Sequence, residues 1–197
     1  MKALERLELD LNAFGIELNA DDWQAIGKHA AQVSVPAGHK IQNQVKVADA
    51  WVFLSGGIAA SEQTWSDGST TIARFFEPGH ICANFTSVWT RDIASDDLIA
   101  VTDITGLALP DSFFRLEYLQ GGQFGTYLRL KMAEAHLFAK ELICAKTSGR
   151  TETRYQFLNQ YHGESIANLP KKDIARFLGI TPQGFSRFLR NRKSDAG

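Results

Sequence analysis

Near Pro110 the spacing of apolar residues changes, and that change constrains the fold more than any other feature of the chain. Between about Val33 and Pro110 the apolar residues fall in short runs. These are Trp51-Val52-Phe53-Leu54, Ile58-Ala59-Ala60, Thr70-Thr71-Ile72-Ala73-Arg74-Phe75-Phe76, Leu98-Ile99-Ala100-Val101 and Gly106-Leu107-Ala108-Leu109. Turn-forming groups separate them: Pro36-Ala37-Gly38, Gly56-Gly57, Asp67-Gly68 and Pro78-Gly79. Several short strands at this spacing predict an antiparallel sandwich or roll. Asp67-Gly68 is the sharpest hairpin signal, because a tight hairpin needs positive φ, which glycine adopts without strain.

Helical spacing takes over after Pro110. Phe124, Leu128, Met132, Ala135, Ala139 and Leu142 recur every three or four residues, which places them on one helix face. Leu130, Leu137 and Cys144 form a second row with a seven-residue repeat. A helix of about 20 residues is roughly 30 Å long. One face can serve the core and the other a partner helix, so Leu128, Leu130 and Leu137 are candidates for a dimer seam. The alternative is that both rows are core. Ahead of the strands, Asn19-Ala20-Asp21-Asp22 suits the start of a short helix ending near Ala31.

Composition sets bounds. A chain of 197 residues, 44% hydrophobic and 22% charged, is long enough to bury a core as one large or two small domains. No apolar run approaches the roughly 18–20 residues of a membrane span. The start, Met1-Lys2-Ala3-Leu4-Glu5-Arg6, lacks the apolar segment of a secretory signal, so a cytoplasmic protein without membrane contact is the expectation. Cys82 and Cys144 fit neither a metal spacing nor a disulfide framework.

The net charge of -1 conceals an asymmetry. Residues 146–197 carry ten basic side chains against four acidic ones, a net of +6, while the other 145 residues carry 11 against 18, a net of −7. A basic quarter on an acidic body suits a polyanion-binding module, although a solvated basic tail has the same balance.

The pattern within that quarter separates the two. Lys171 to Leu178 predicts a short helix with Ile174, Ala175 and Leu178 inward, which Gly179 ends in the left-handed conformation. Thr181 caps the next helix, Pro182 sits where a missing N–H costs nothing, and Phe185, Phe188 and Leu189 point inward. Two short helices joined by such a turn make a helix-turn-helix, whose second helix enters the DNA major groove. Gln183 and Arg187 would then face base edges, since Gln can bridge adenine and Arg can bridge guanine. Thr181, Ser186, Arg190, Arg192, Lys171 and Lys172 are placed for phosphates, which position the protein without specifying sequence. A small helical hairpin used only for packing is the plainer reading.

With these residues in view, the chain resembles the Crp/Fnr family of bacterial transcription regulators over nearly its whole length. Asp173-Ile174-Ala175, Leu178-Gly179-Ile180-Thr181 and Phe185-Ser186-Arg187-Phe188-Leu189 are similar to the family's DNA-binding signature. Pro78-Gly79, Ala100-Val101-Thr102-Asp103 and Leu107-Ala108-Leu109-Pro110 resemble markers of its cyclic-nucleotide-binding β-roll. The resemblance implies an α+β fold. An antiparallel β-roll sensor domain would span 1–110, a long dimerisation helix 111–146, and a helix-turn-helix domain 147–197. It also implies a homodimer that binds near-palindromic double-stranded DNA and recruits or blocks RNA polymerase.

Departures from the family pattern bear on the effector. Nucleotide-binding members carry Gly-Glu after the Pro-Gly turn, and an Arg followed by Ser or Thr and Ala for the cyclic phosphate. Here Ala83-Asn84 take the first place and Ala94, followed by Ser95 and Asp96, takes the Arg position. A cyclic phosphate would lose its bidentate cation and meet Asp96 and Asp97, which argues against cyclic AMP. Asn84, Arg91 and Ser95 remain candidates to line a pocket for a different small effector, Arg91 only if the loop is rebuilt. An Fe–S cluster needs about four thiolates where two cysteines are present. Haem held by His80 and Cys82 is conceivable, but a turn histidine beside a strand cysteine is more often packing or surface. The family's β-hairpin wing after the recognition helix is expected to be missing or vestigial.

Two other function classes compete. A metal-dependent, cupin-like enzyme would need clustered histidines, and no His-x-His occurs among His29, His39, His80, His136 and His162. A protein-interaction module using the basic hairpin explains the charge but not the placement of Gln183 and Arg187.

Overall fold

The computed structural model describes residues 2–195 and the side chains through Arg192; the Lys193 side chain, counted above with the basic segment, lies outside the described residues. Two helices lead in, α1 (Ala3–Ala13) and α2 (Ala20–His29). The second starts where expected: Asn19 Oδ1 accepts from the Asp22 N–H at 2.8 Å, and Asp22 returns a bond to the Asn19 N–H.

Eight strands follow: β1 (Ala31–Val35), β2 (Lys40–Gln42), β3 (Ala50–Gly56), β4 (Ala59–Thr64), β5 (Thr70–Phe76), β6 (Ile81–Cys82), β7 (Asp97–Ala100) and β8 (Ile104–Pro110), with a short helix α3 (Phe85–Thr90) between β6 and β7. They make two antiparallel sheets, ordered β1-β8-β3-β6 and β2-β7-β4-β5. All five apolar runs read from the sequence lie in or directly beside strands. At the β4–β5 hairpin Gly68 has φ +81, and Asp67 Oδ1 accepts from the Ser69 N–H at 2.9 Å.

Strand β3 shows why these runs are mostly apolar. Alternate side chains leave opposite faces of a strand. Val52 and Leu54 therefore join Ala59, Phe76, Leu98 and Ile104 between the sheets, while Trp51 and Phe53 point outward under α1 and α2. Both faces are covered, so both are apolar.

The helical half contains α4 (Asp111–Gln120), α5 (Gln123–Thr147), α6 (Thr151–His162), a 3-10 turn (Gly163–Asn168), α7 (Lys171–Leu178) and α8 (Pro182–Asp195). The single helix expected over 111–146 is in fact two. Gly121 and Gly122 part them, and α5 begins hard against the end of α4. A Cβ on Gly121 or Gly125 would come within 2.2 or 2.3 Å of the Glu117 carbonyl oxygen. A further core joins α5–α8 to the outer face of the second sheet, with Ile72 and Phe75 beside Phe138, Phe157, Phe177 and Phe185. Among the described residues no helix is long and apolar enough to cross a membrane.

Candidate nucleic-acid interface and roll cavity

Helix α7 buries Ile174, Ala175, Phe177 and Leu178 and ends at Gly179, whose φ of +68 is left-handed. The Ile180 N–H then bonds back to the Ala175 carbonyl at 3.0 Å. Thr181 is the cap of α8: its Oγ1 accepts from the Gly184 N–H at 3.0 Å, and its carbonyl accepts from Phe185 at 2.9 Å. Phe185 is buried, and Tyr155 of α6 meets Phe185 and Phe188 at 6.0 and 5.3 Å between ring centres. With that face held inward, Gln183, Ser186, Arg187 and Arg190 are exposed along the opposite face, and Lys171 and Lys172 are exposed at the start of α7. Ser186 Oγ donates to the Pro182 carbonyl at 3.1 Å. The two helices, the turn and the exposed basic face are thus brought together as a helix-turn-helix.

Arg192 departs from the expected phosphate role. Its Nε lies 3.1 Å from Glu152 Oε2 and its guanidinium sits 4.9 Å from the Tyr155 ring centre, so it fastens α8 to α6. Both partners lie more than 35 residues away in the chain, beyond the reach of a local reading. Arg176, not picked out from sequence, turns toward the roll instead, bonding the Thr70 hydroxyl at 2.6 Å and pairing with Glu62 and Asp173.

On α5, Leu128 needs correction as a seam residue. It is fully buried in the core beneath α1 and the first sheet, where its face of α5 packs inside the protomer. Leu130, Leu137, Cys144 and the neighbouring Ile143 are exposed. The seven-residue row therefore faces outward, and the other stripe faces in over its first half.

In the roll, the three candidate effector residues do not converge. Asn84 is buried, its Nδ2 donating to the Asp96 carbonyl at 2.8 Å and to Gln42 Oε1 at 3.3 Å. Arg91 turns away: its Nη1 lies 2.5 Å from Asp111 Oδ2 and donates to the Ala48 carbonyl at 3.2 Å, which ties α3 to α4 and corrects its assignment to a pocket. Ser95 is exposed and donates to Asp96 Oδ1 at 2.7 Å. Asp96 also accepts from Ser61, while Asp97 is buried and paired with Lys40 at 2.7 Å. Ala94, at the position where a phosphate-binding cation would stand, is buried. A cavity of about 250 Å³ does open in the roll, lined by Gln42, Val52, Cys82 and Leu98 among others, but by none of the three candidates.

His80 and His162 both meet Glu77, and the other three histidines lie apart from them. His29 stacks on Phe113, His39 and His136 are exposed, His80 accepts from the Glu77 N–H at 3.0 Å, and His162 meets Glu77 Oε1 at 2.9 Å. Among the described residues no group of three or more His, Cys, Asp or Glu side chains is placed to hold a metal ion. Burial raises the Cys82 thiol well above its ordinary value.

Neither protein-family models nor curated protein sequences match the chain. Its structure does match solved ones. The c-di-GMP responsive global regulator CLP of Xanthomonas campestris aligns with a TM-score of 0.73 at 11% identity, over 90% of this chain and 93% of that one. FixK2 of Bradyrhizobium japonicum aligns at 0.70 and 17% identity, over 85% and 86%. A protein from Eubacterium rectale, described as a regulator of the Crp/Fnr family, aligns at 0.69 and 17%, over 90% and 85%. The architecture of β-roll, long helix and C-terminal helix pair is therefore the Crp/Fnr-type fold.

Proposed function

We propose that this chain is a DNA-binding transcription regulator that works as a homodimer, with the start of α8 in the major groove of each half-site. The observation that carries the reading is the capped helix α8, which holds Gln183 and Arg187 exposed while Phe185 anchors its other face. Gln183 and Arg187 read base edges; Thr181, Ser186, Arg190, Lys171 and Lys172 contact phosphates or sit beside them. The outward row of Leu130, Leu137 and Cys144 forms the seam with a second copy, which presents two reading heads to one operator. RNA polymerase is the further partner that such a regulator recruits or obstructs.

Cyclic AMP is not the effector in this reading. Ala94 supplies no cation, and the Asp96 and Asp97 carboxylates occupy the surroundings a cyclic phosphate would enter.

Anisotropy titration of the full chain against fluorescent random-sequence duplex tests the DNA reading. Binding at low ionic strength that weakens steeply as salt rises is expected, because each neutralised phosphate releases counterions. Selection from random duplexes should then enrich an inverted repeat. No retention of any duplex at low salt would leave the basic hairpin as a surface for an acidic protein.

A further inference from the structure

Where the tip of the β4–β5 hairpin meets the end of α5, the start of α6 and the last turn of α7, an open groove of about 330 Å³ lies beside the helix-turn-helix. Trp65 is on its lining and 54% exposed, and the indole N–H donates to the Thr71 hydroxyl at 3.2 Å. Lys146 and Arg154 share the lining. Among the described residues neither has a carboxylate within ion-pairing distance. Lys146 Nζ lies 5.3 Å from the Phe177 ring centre. Arg154 Nη2 donates to the Thr151 hydroxyl at 3.3 Å, and its Nε is buried with no partner. The two cations feel each other: partial burial first, and then the Arg154 charge, lower the Lys146 ammonium from its ordinary value. Arg176, also on the lining, differs because Glu62 and Asp173 neutralise it. Gly179, two residues before the Thr181 cap of α8, completes the wall nearest the reading helix.

Neighbouring cations repel unless an anion comes between them, and no acidic side chain stands on this lining to supply one. We propose that the groove is a second duplex-binding surface, in which Lys146 and Arg154 hold backbone phosphates beyond those taken by α8 and the start of α7, while Trp65 packs against the deoxyribose between them. Cations beside an exposed aromatic ring suit a nucleic-acid strand, whose charge repeats and whose sugars offer an apolar surface. The place in the fold points to the same duplex that α8 would read, because the groove and the first residues of α8 share the turn at Gly179. Trp65 belongs to the roll, so the roll itself would touch DNA. Such contacts add affinity without base preference. The inference rests on the regulator reading above and assigns further residues to it.

Anisotropy titration of the full chain against fluorescent random-sequence duplex, repeated over a range of salt, tests the groove. Lys146→Ala and Arg154→Gln should each reduce the slope of log affinity against log salt by about 0.9, the share of one phosphate. Lys28→Ala, on α2, removes the same charge elsewhere and should leave the slope unchanged. Tryptophan emission is a second readout, which survives if Arg154→Gln fails to fold. Duplex should change the emission of the unaltered protein more than that of Trp65→Phe, and inorganic phosphate at matched phosphate concentration should change neither. Unchanged slopes in both cation variants, an equal loss in Lys28→Ala, or a Trp65 response to phosphate but not to duplex overturns the proposal; the last would make the groove a site for a free anion. Duplex binding by the unaltered chain with those unchanged slopes would sink this surface and leave the regulator reading standing. No duplex binding by the unaltered chain would sink both.

Discussion

Arg176 of α7 pairs with Glu62 of β4, so a side chain of the helix-turn-helix is fastened to the roll. Thr70 at the start of β5 and Asp173 complete its surroundings, and Phe75 of β5 meets Phe177 of α7 at 5.7 Å nearby. The contact is mostly shielded from solvent, so its charge should matter. Glu62→Gln is expected to lower stability by about 1–3 kcal/mol in urea unfolding. A change within error would mean that the apolar contact alone holds α7 in place.

Base reading and phosphate anchoring can be separated on the same scaffold. Arg187→Ala should cost about 1–3 kcal/mol on the selected operator and relax preference at one base position. Lys171→Ala should weaken all duplexes to a similar degree and reduce the steepness of the salt dependence by about one phosphate. Equal losses on operator and random duplex for both variants would remove the distinction.

For the seam, the structure turns one expected equivalence into a contrast. Leu130→Asp or Leu137→Asp places a charge on an exposed position and should yield folded monomers in sedimentation. Leu128→Ala instead opens the core and should destabilise the protomer by about 2–5 kcal/mol. Unchanged dimer mass for both aspartate variants would exclude this face of α5.

His80 makes stability depend on pH. Burial first, then the surrounding cations, hold its folded value near about 3, against about 6.5 in the unfolded chain. Between these values the unfolded chain takes up a proton that the folded chain does not. Stability is therefore lost as pH falls through that window, with a slope of up to about 1.4 kcal/mol per pH unit from this one group. His80→Asn can still accept from the Glu77 N–H, and it should flatten the slope measured by urea unfolding between pH 6.5 and pH 4. An unaltered slope would assign the dependence to other groups.

Local features of the chain were legible because their causes are local. The capping pair Asn19 and Asp22, the Asp67-Gly68 hairpin, the Gly179 break and the Thr181 cap each depend on residues within three or four positions, and each stands in the structure as expected. The strand runs were readable for a related reason, since strands covered on both faces are mostly apolar. Tertiary structure alone decided which of two apolar rows on α5 faces outward, that Arg91 serves Asp111, and that Arg192 serves Glu152 and Tyr155. It also decided that Trp65 and Lys146, 81 positions apart in the chain, border one groove. Periodicity specifies that a residue lies on a face, but what covers the face depends on how distant segments pack. The partner of a long cation is likewise chosen by whichever acid the folded chain brings within about 4 Å.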